Sequence, residues 1–524
     1  MRFPAAVLAA ILASAFLASW ASASAWATAP ATARATGVVY DFFQQPLNHS
    51  DHSAGSFVQR VLINSEFAKD DSAPSFVFVG GQSALDASAV TSGFIYTVAK
   101  THGARIFALE HRYYGESVAR QTLSTGALQY LTVHNAIDDL AGFLDIYTGA
   151  SGKPLSAGPV ILFGSEYGGM VASLLRARYP ALSVAAVAAS ATMRPVSAFL
   201  EYGDNLIKLV ADLWNGPTNC AGTLATGLKD LRLAMYDKTA RDIERISTAF
   251  NTCSETPDFE SPFIIQEAFV AALSQVLTRY LTPAGIKDMC GILGEKVPED
   301  DNREIWSLGR FVTAATAQAG KPCFSINREA LSAPYQSSMV ADHKVFGLRQ
   351  SLYLSCTVLG TFPSSNGFFS AEAPYFESLC YDVFGLKETN YAIANEQAIL
   401  EREFGGLTFK GERVYFTNAQ IDPYNSPRLA IVKANPSKEL FVLESSGVTR
   451  ATFLGTESSG SLKTDRAQVA TQIAAWLAKA TGRSAANTTT EAETAAEEAV
   501  PVVVTPTRRS SVAVSDALLR LLKL

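Results

Sequence analysis

The apolar run Pro159-Val160-Ile161-Leu162-Phe163 leads directly into Gly164-Ser165-Glu166-Tyr167-Gly168-Gly169, and a helical pattern continues to Arg178-Tyr179-Pro180. Few folds accept a buried strand, a glycine-punctuated turn and a helix in that order. The glycines are needed because the turn is sharp and neighbouring backbone passes close to it. The central residue is held at the helix N-terminus, where free amides can stabilise an oxyanion. A serine usually occupies that central position, and here it is Glu166.

The surrounding chain fits this turn. Ser75–Val79, Arg105–Leu109 and Val184–Ala189 read as short buried strands, with helical patterns between them at Thr132–Tyr147 and Met170–Arg178. Apolar strands alternating with helices imply a parallel sheet covered on both faces. The class is α/β, and the turn is the nucleophile elbow of α/β-hydrolases. Residues 196–400 differ, with long amphipathic runs at Thr223–Phe250 and Pro262–Leu281. The first pattern returns over 405–482, with strands at Arg413–Phe416 and Leu440–Leu443 and a closing helix at Thr464–Ala480. The core is therefore split: 36–195 form its first part, 405–482 its second, and 196–400 a helical lid inserted between them.

The amino terminus reads as a secretory leader over 1–25. Arg2 supplies the positive charge, Ala5–Leu17 the apolar stretch, and Ala21-Ser22-Ala23-Ser24-Ala25 the small residues of a cleavage site. No later apolar run approaches the length of a membrane span, so no transmembrane segment is expected after the leader is removed. All six cysteines, Cys220, Cys253, Cys290, Cys323, Cys356 and Cys380, fall in the lid. An even number in a secreted chain points to disulfides, with fifteen pairings open. Their spacing lacks a CxxC pair, so no metal site is expected. Asn48-His49-Ser50 and Asn487-Thr488-Thr489 are glycosylation sequons. With 43 basic and 49 acidic residues and no basic stripe, a nucleic-acid partner is excluded. The segment 484–524 is of low complexity, with a short amphipathic pattern at Ser515–Leu524.

The second chemical element is Asn418-Ala419-Gln420-Ile421-Asp422-Pro423, directly after a strand. An aspartate there, fixed by a following proline, suits the acid of a catalytic triad. A histidine should follow it in the order nucleophile, acid, base. The histidines are His49, His52, His102, His111, His134 and His343, and none lies beyond Asp422. The expected position falls near Thr449-Arg450. Threonine has no suitable pKa and arginine stays protonated, so neither serves as a base near neutral pH.

These residues resemble the family of lysosomal Pro-X carboxypeptidase, dipeptidyl peptidase II and thymus-specific serine protease. The resemblance begins at Phe43-Gln44-Gln45-Pro46-Leu47-Asn48-His49 and continues through Glu110-His111-Arg112-Tyr113-Tyr114-Gly115-Glu116-Ser117. It takes in Leu128–Thr132, Ala136–Leu140, the elbow ending Tyr167-Gly168-Gly169-Met170, Tyr353, Cys356-Thr357 and the loop with Asn418 and Asp422-Pro423. It implies an α/β-hydrolase core with a lid, no metal or organic cofactor, and proline-containing peptides as ancestral substrates. It also implies a secreted, lysosomal or vacuolar location and a homodimer; if this chain is inactive, a heterodimer with an active paralogue is the alternative expectation. Carried onto this chain, it places the oxyanion donors at Tyr167 and Gly80 and a substrate-binding loop at Gly81 and Gln82. The departures fall on the chemistry: Glu166 at the nucleophile, no triad histidine, Gly80-Gly81-Gln82-Ser83 in a loop the family writes Gly-Asn-Glu-Gly, and Val358 where a glutamate follows Cys-Thr.

The sequence thus points to an exopeptidase-like protein without hydrolytic activity that retains a peptide cleft. Two other readings stay open. Ser165 could replace the nucleophile in an active serine exopeptidase, with His111 or His134 as base. Alternatively, Glu166 itself could serve a different hydrolase as a carboxylate nucleophile, which would still need a water-activating base.

Overall fold

A computed structural model describes residues 37–482 apart from 238, 254–276, 278–279, 298–302, 326–327, 364–373, 451 and 458. The leader at 1–25, most of the pattern at 262–281, and the tail from 484 with Asn487 lie outside the described residues.

Eight strands form one sheet in the order β1-β2-β4-β3-β5-β6-β9-β10. They are β1 (Val39–Pro46), β2 (Ser56–Asn64), β3 (Ser75–Val79), β4 (Arg105–Leu109), β5 (Val160–Ser165), β6 (Ala185–Ala189), β9 (Val414–Ile421) and β10 (Leu440–Thr449). From β4 to β10 every pairing is parallel. The expected parallel sheet is extended by an antiparallel hairpin, β1–β2, whose second strand runs antiparallel to β4. A short turn joins β1 to β2, and a short turn can link only antiparallel neighbours. Its 3₁₀ segment is capped by Asp51.

The first half of the core also holds α1 (Gly93–His102), α2 (Val133–Ile146) and α3 (Glu166–Arg178). Thr132 caps α2 by accepting from the Asn135 amide. The stripe Val133, Ala136, Ile137, Leu140 and Leu144 of α2 is buried, as its spacing of three and four requires. α3 starts at Glu166, four residues before the pattern at Met170 implied. The elbow residue is therefore the first helical residue.

The insertion holds β7 (Val196–Phe199), α4 (Tyr202–Leu213), α5 (Cys220–Asp237), α6 (Ala240–Ala249), α7 (Pro283–Leu293) and α8 (Arg303–Gln318). It continues with α9 (Leu348–Leu354), β8 (Gly360–Pro363), α10 (Pro374–Phe384) and α11 (Thr389–Phe404). The single amphipathic run at 223–250 is two helices, the second capped by Thr239. Helices α4 to α8 share their own apolar core, including Leu206, Leu228, Ile286, Leu308 and Phe311. By contrast, Leu352, Cys356, Cys380, Ile393 and Phe404 belong to the same buried cluster as α2 and α3. The insertion is therefore a helical cap followed by a layer packed onto the hydrolase core. Disulfides Cys220–Cys290 and Cys253–Cys323 brace the cap, and Cys356–Cys380 braces the layer. The closing helix α12 (Gly460–Thr481) packs with α1 on the opposite face of the sheet.

The Glu110–Ser117 segment works as an internal scaffold. The Arg112 guanidinium, fully buried, meets Asp139 through two bonds of 2.6 Å and donates to the Leu47 carbonyl at 2.7 Å. Glu110 accepts from Arg60, from the Glu116 and Ser117 amides and from the Ser117 hydroxyl. Each buried charge has a partner, which is the condition for keeping it inside.

A charged clasp joins the outer layer to the core. The His134 ring, in the first turn of α2, lies 2.9 Å from Glu403 and 3.6 Å from Glu396, both on α11. Arg178 reaches Glu403 at 3.5 Å. The hydrogen bond to Glu396, opposed by burial and helped by Glu403, raises the His134 pKa above its ordinary value. The clasp therefore contributes fully below about pH 6.5, the unfolded-state value, and its contribution is lost as pH rises through the raised folded value. His134→Gln is expected to leave the unfolding free energy read from urea titration nearly unchanged at pH 8.5 and lower it at pH 5.5, by no more than about 1 kcal/mol for so partly exposed a pair. Equal shifts at both values would remove the clasp as a pH-dependent contact.

Candidate functional site

Ser165 ends β5 in an extended conformation, paired with Ala189 of β6. Glu166 follows at φ 52°, in the left-handed region that a side chain rarely accepts. Two glycines make the turn possible. A Cβ on Gly164 would lie 2.4 Å from the Gly168 carbonyl oxygen, and a Cβ on Gly168 would lie 2.5 Å from that of Val79. The helix thus starts against the backbone of β5 and β3, and the strained residue projects beyond the carboxyl edge of the sheet. This is the elbow that the sequence pattern implied.

Asp422 stands one residue beyond β9 and is 4% exposed. Its carboxylate accepts from the Tyr424 amide at 2.9 Å. Arg450 stands one residue beyond β10, where the triad histidine was expected. Its Nε donates to Glu166 Oε1 at 3.0 Å, and its Nη1 lies 3.1 and 3.3 Å from the two Asp422 oxygens. The guanidinium sits 4.7 Å from the centre of the Tyr424 ring, which itself packs against Phe199 and Tyr202 of the insertion. Glu166, Arg450 and Asp422 are therefore connected in that order as an ion triad.

The electrostatics are one-sided. Burial works against the Arg450 charge, but Asp422 and Glu166 outweigh it and raise its pKa further. Burial pushes the Asp422 carboxyl upward, with Arg450 opposing. The guanidinium keeps its proton, and general-base catalysis needs a group that can accept one near the working pH. Sequence reasoning dismissed Arg450 as a base but missed its role as the partner of Glu166. The available signal was a new carboxylate and a new guanidinium at two positions that one triad brings together.

The other candidate residues separate. The Ser165 side chain makes no capping bond to α3. His111 is buried, with its ring nitrogens at the Arg112 carbonyl (2.9 Å) and the Tyr167 hydroxyl (3.2 Å), and burial lowers its pKa to about 4. His134 is held in the clasp with α11. His49 meets Asp139 and His343 the Ser337 carbonyl. His102 closes α1 at the opposite edge of the sheet, packed on Phe76, and His52 follows β1, four strands from β5. Among the described hydrogen bonds, none joins His111 or His134 to Ser165. The Gly80 amide donates to the Leu109 carbonyl at 2.9 Å, so it is committed to the sheet and not to an oxyanion. Gly81 instead approaches the elbow, its Cβ position 3.8 Å from the Gly168 amide nitrogen. The Tyr167 amide lies in the first turn of α3, where no helical carbonyl is in register to accept it. Gln82 faces the layer: its side chain meets the Tyr114 hydroxyl, and its carbonyl lies 3.4 Å from the Ser351 hydroxyl. A cavity of about 160 Å³ adjoins Asp422, lined also by Asn205, Gln420, Asn425 and Glu444. Among the described residues no cluster of His, Cys, Asp and Glu could hold a metal ion, and no helix is long and apolar enough to cross a membrane.

Several known proteins are similar to this chain. The thymus-specific serine protease of Mus musculus is 26% identical over 443 residues, covering 82% of this chain and 86% of that one. The lysosomal Pro-X carboxypeptidase of Homo sapiens is 25% identical over 221 residues, 41% of this chain and 43% of that one. Among solved structures, a proline iminopeptidase of Mycobacterium smegmatis is similar over 84% of this chain, at 11% identity and a TM-score of 0.36. The sequence pattern described as serine carboxypeptidase S28 matches residues 45–445. An α/β-hydrolase with a split core and an inserted helical region, matched over most of its length, the chain belongs to the serine carboxypeptidase S28 family.

Proposed function

We propose that this chain is a non-hydrolytic member of its family, resident in the secretory pathway, that holds peptides in the inherited cleft without cleaving them. The observation that supports this is the Glu166–Arg450–Asp422 ion triad. Acyl transfer needs a nucleophile, a base to take its proton, and an acid that orients the base. Arg450 cannot take a proton. Glu166 has one oxygen tied to Arg450, and any anhydride formed on it would lack a base to activate water. Loss of a triad serine or histidine alone costs about 10⁶ in turnover in a serine protease. Both are replaced here.

The three disulfides fit an oxidising compartment, and the leader pattern supports entry into it. Proline-containing peptides are the first ligands to try, because a relative is a Pro-X carboxypeptidase. A heterodimer with an active paralogue would supply catalysis that this chain lacks, whereas a homodimer would not.

Hydrolysis of a proline-containing peptide panel from about pH 4 to 8 is the direct test, with Ser165→Ala and Glu166→Ala run beside the natural chain. No turnover above the variants is expected. Turnover abolished by Ser165→Ala would overturn the reading in favour of a rebuilt serine site, and turnover abolished only by Glu166→Ala would favour a carboxylate nucleophile.

A restoration experiment follows from the same geometry. Because Arg450 bridges the two positions that a histidine would bridge, the double variant Glu166→Ser, Arg450→His is expected to gain measurable peptidase activity, while each single variant stays silent. Arg450→Leu alone leaves the buried Asp422 unpaired and is expected to destabilise the fold by about 3 kcal/mol, read as a shift in the urea midpoint. A midpoint unchanged in that variant would mean the triad does not stabilise the site.

A further inference from the structure

A second cleft, of about 570 Å³, lies apart from the elbow between the turn after β1, the outer face of α2 and the turn after α3. His49, Asp138, Asp145, Arg178, Tyr179 and Pro180 line it. Its size lies within the usual range for ligand pockets. Tyr179 is fixed by its hydroxyl, which donates to Asp138 at 2.8 Å. The neighbouring acids leave carboxylate oxygens as acceptors, and the mixture of an aromatic ring with carboxylates suits a carbohydrate, which offers hydroxyl donors and a C–H face.

The residue just before His49 is Asn48, the first residue of a sequon, and its surroundings hold it still. The Leu47 carbonyl accepts from the buried Arg112. The His49 amide donates to Asn135 at 3.1 Å, and the His49 ring lies 2.7 Å from Asp139. Asn48 Oδ1 accepts from the Ser50 amide and hydroxyl, at 3.2 and 2.8 Å. Among the described residues no hydrogen bond engages its Nδ2. The turn thus presents one uncommitted amide nitrogen, from a rigid mount, beside a cleft with sugar-binding chemistry.

We infer that Asn48 carries an N-linked glycan and that its first sugars lie in this cleft. The inference rests on the secretory reading above, because the modification needs a sugar donor found there: a lipid-linked pyrophosphate oligosaccharide. The bond forms between Asn48 Nδ2 and the anomeric carbon. The pyrophosphate leaves with the electron pair of its bond to that carbon, and Nδ2 gives up one proton.

The test uses the full chain secreted from glycosylating eukaryotic cells. Mass analysis of the peptide containing Asn48 is expected to show the glycan, and Ser50→Ala to remove it. Peptide N-glycosidase is expected to release it at least about tenfold more slowly from the native protein than from the denatured protein, as for a site open only a small fraction of the time. Asp145→Ala and, separately, Tyr179→Ala are expected to speed native release. A secreted chain with Asn48 unmodified would overturn the site, and a chain that never enters the secretory pathway would overturn the secretory reading instead. Equal release from native and denatured protein, or slow release untouched by both variants, would overturn the docking of the sugar.

Discussion

The close approach of α3 to β5 and β3 is the constraint on which the site depends. With Gly164 and Gly168 leaving no room between the backbones, residue 166 is forced to φ 52° and projects past the strand ends. The geometry is indifferent to the side chain placed there. Any residue at 166 faces the loops after β9 and β10, and its chemistry must be met by what those loops carry. A serine there calls for a base, whereas a carboxylate calls for a cation. Arg450 supplies the cation from the loop that would otherwise supply the base.

This exchange preserves the architecture while replacing the side chains at the elbow and beyond β10. A guanidinium bonded to two carboxylates spans the same three positions as an imidazole between a hydroxyl and an acid, and it donates at both ends. Asp422 keeps its burial and its charge partner, so the loop after β9 has no reason to rearrange. The Tyr424 ring beneath the guanidinium packs on Phe199 and Tyr202, which couples the ion triad to the helical cap. With two carboxylates and one guanidinium, the pit carries a net negative charge where an active relative would gather an oxyanion. The Gly80 amide, committed to Leu109, further reduces any grip on developing negative charge.

The scaffold behind the elbow is equally polar, and its buried charges are paired. Arg112 and Asp139 fix the turn after β1 and the start of α2, and Glu110 gathers the turn that follows β4. These residues lie just past a strand, where catalytic groups often sit, yet their side chains are buried and consumed by structural partners. The layer of α9 to α11 shares the apolar core of α2 and α3 and adds the His134 clasp at its rim. The helical cap has a separate apolar core braced by two disulfides. The inserted region therefore meets the hydrolase core in two different ways, through shared packing and through the aromatic contact at Tyr424.

Much of this was legible in the residue order. The strands at Ser75–Val79 and Arg105–Leu109 were read to the residue, because short apolar runs between glycine and polar turns leave little choice of boundary. The elbow was legible because only glycine tolerates its close approaches, and the lack of a histidine beyond Asp422 is a matter of counting. The longer extents of β9 and β10 escaped, since polar residues such as Asn418 and Glu444 carry no strand signal and are held in the ladder by their neighbours. The antiparallel hairpin and the division of the insertion escaped too, because which apolar face meets which is set by pairing between distant segments. The sequence by itself determined the hydrolase scaffold and the lack of any histidine beyond Asp422, since both follow from residue identity. Only the tertiary structure decided that Glu166 and Arg450, 284 residues apart, form one ion triad with Asp422, because that depends on three strand ends meeting at one edge of a sheet.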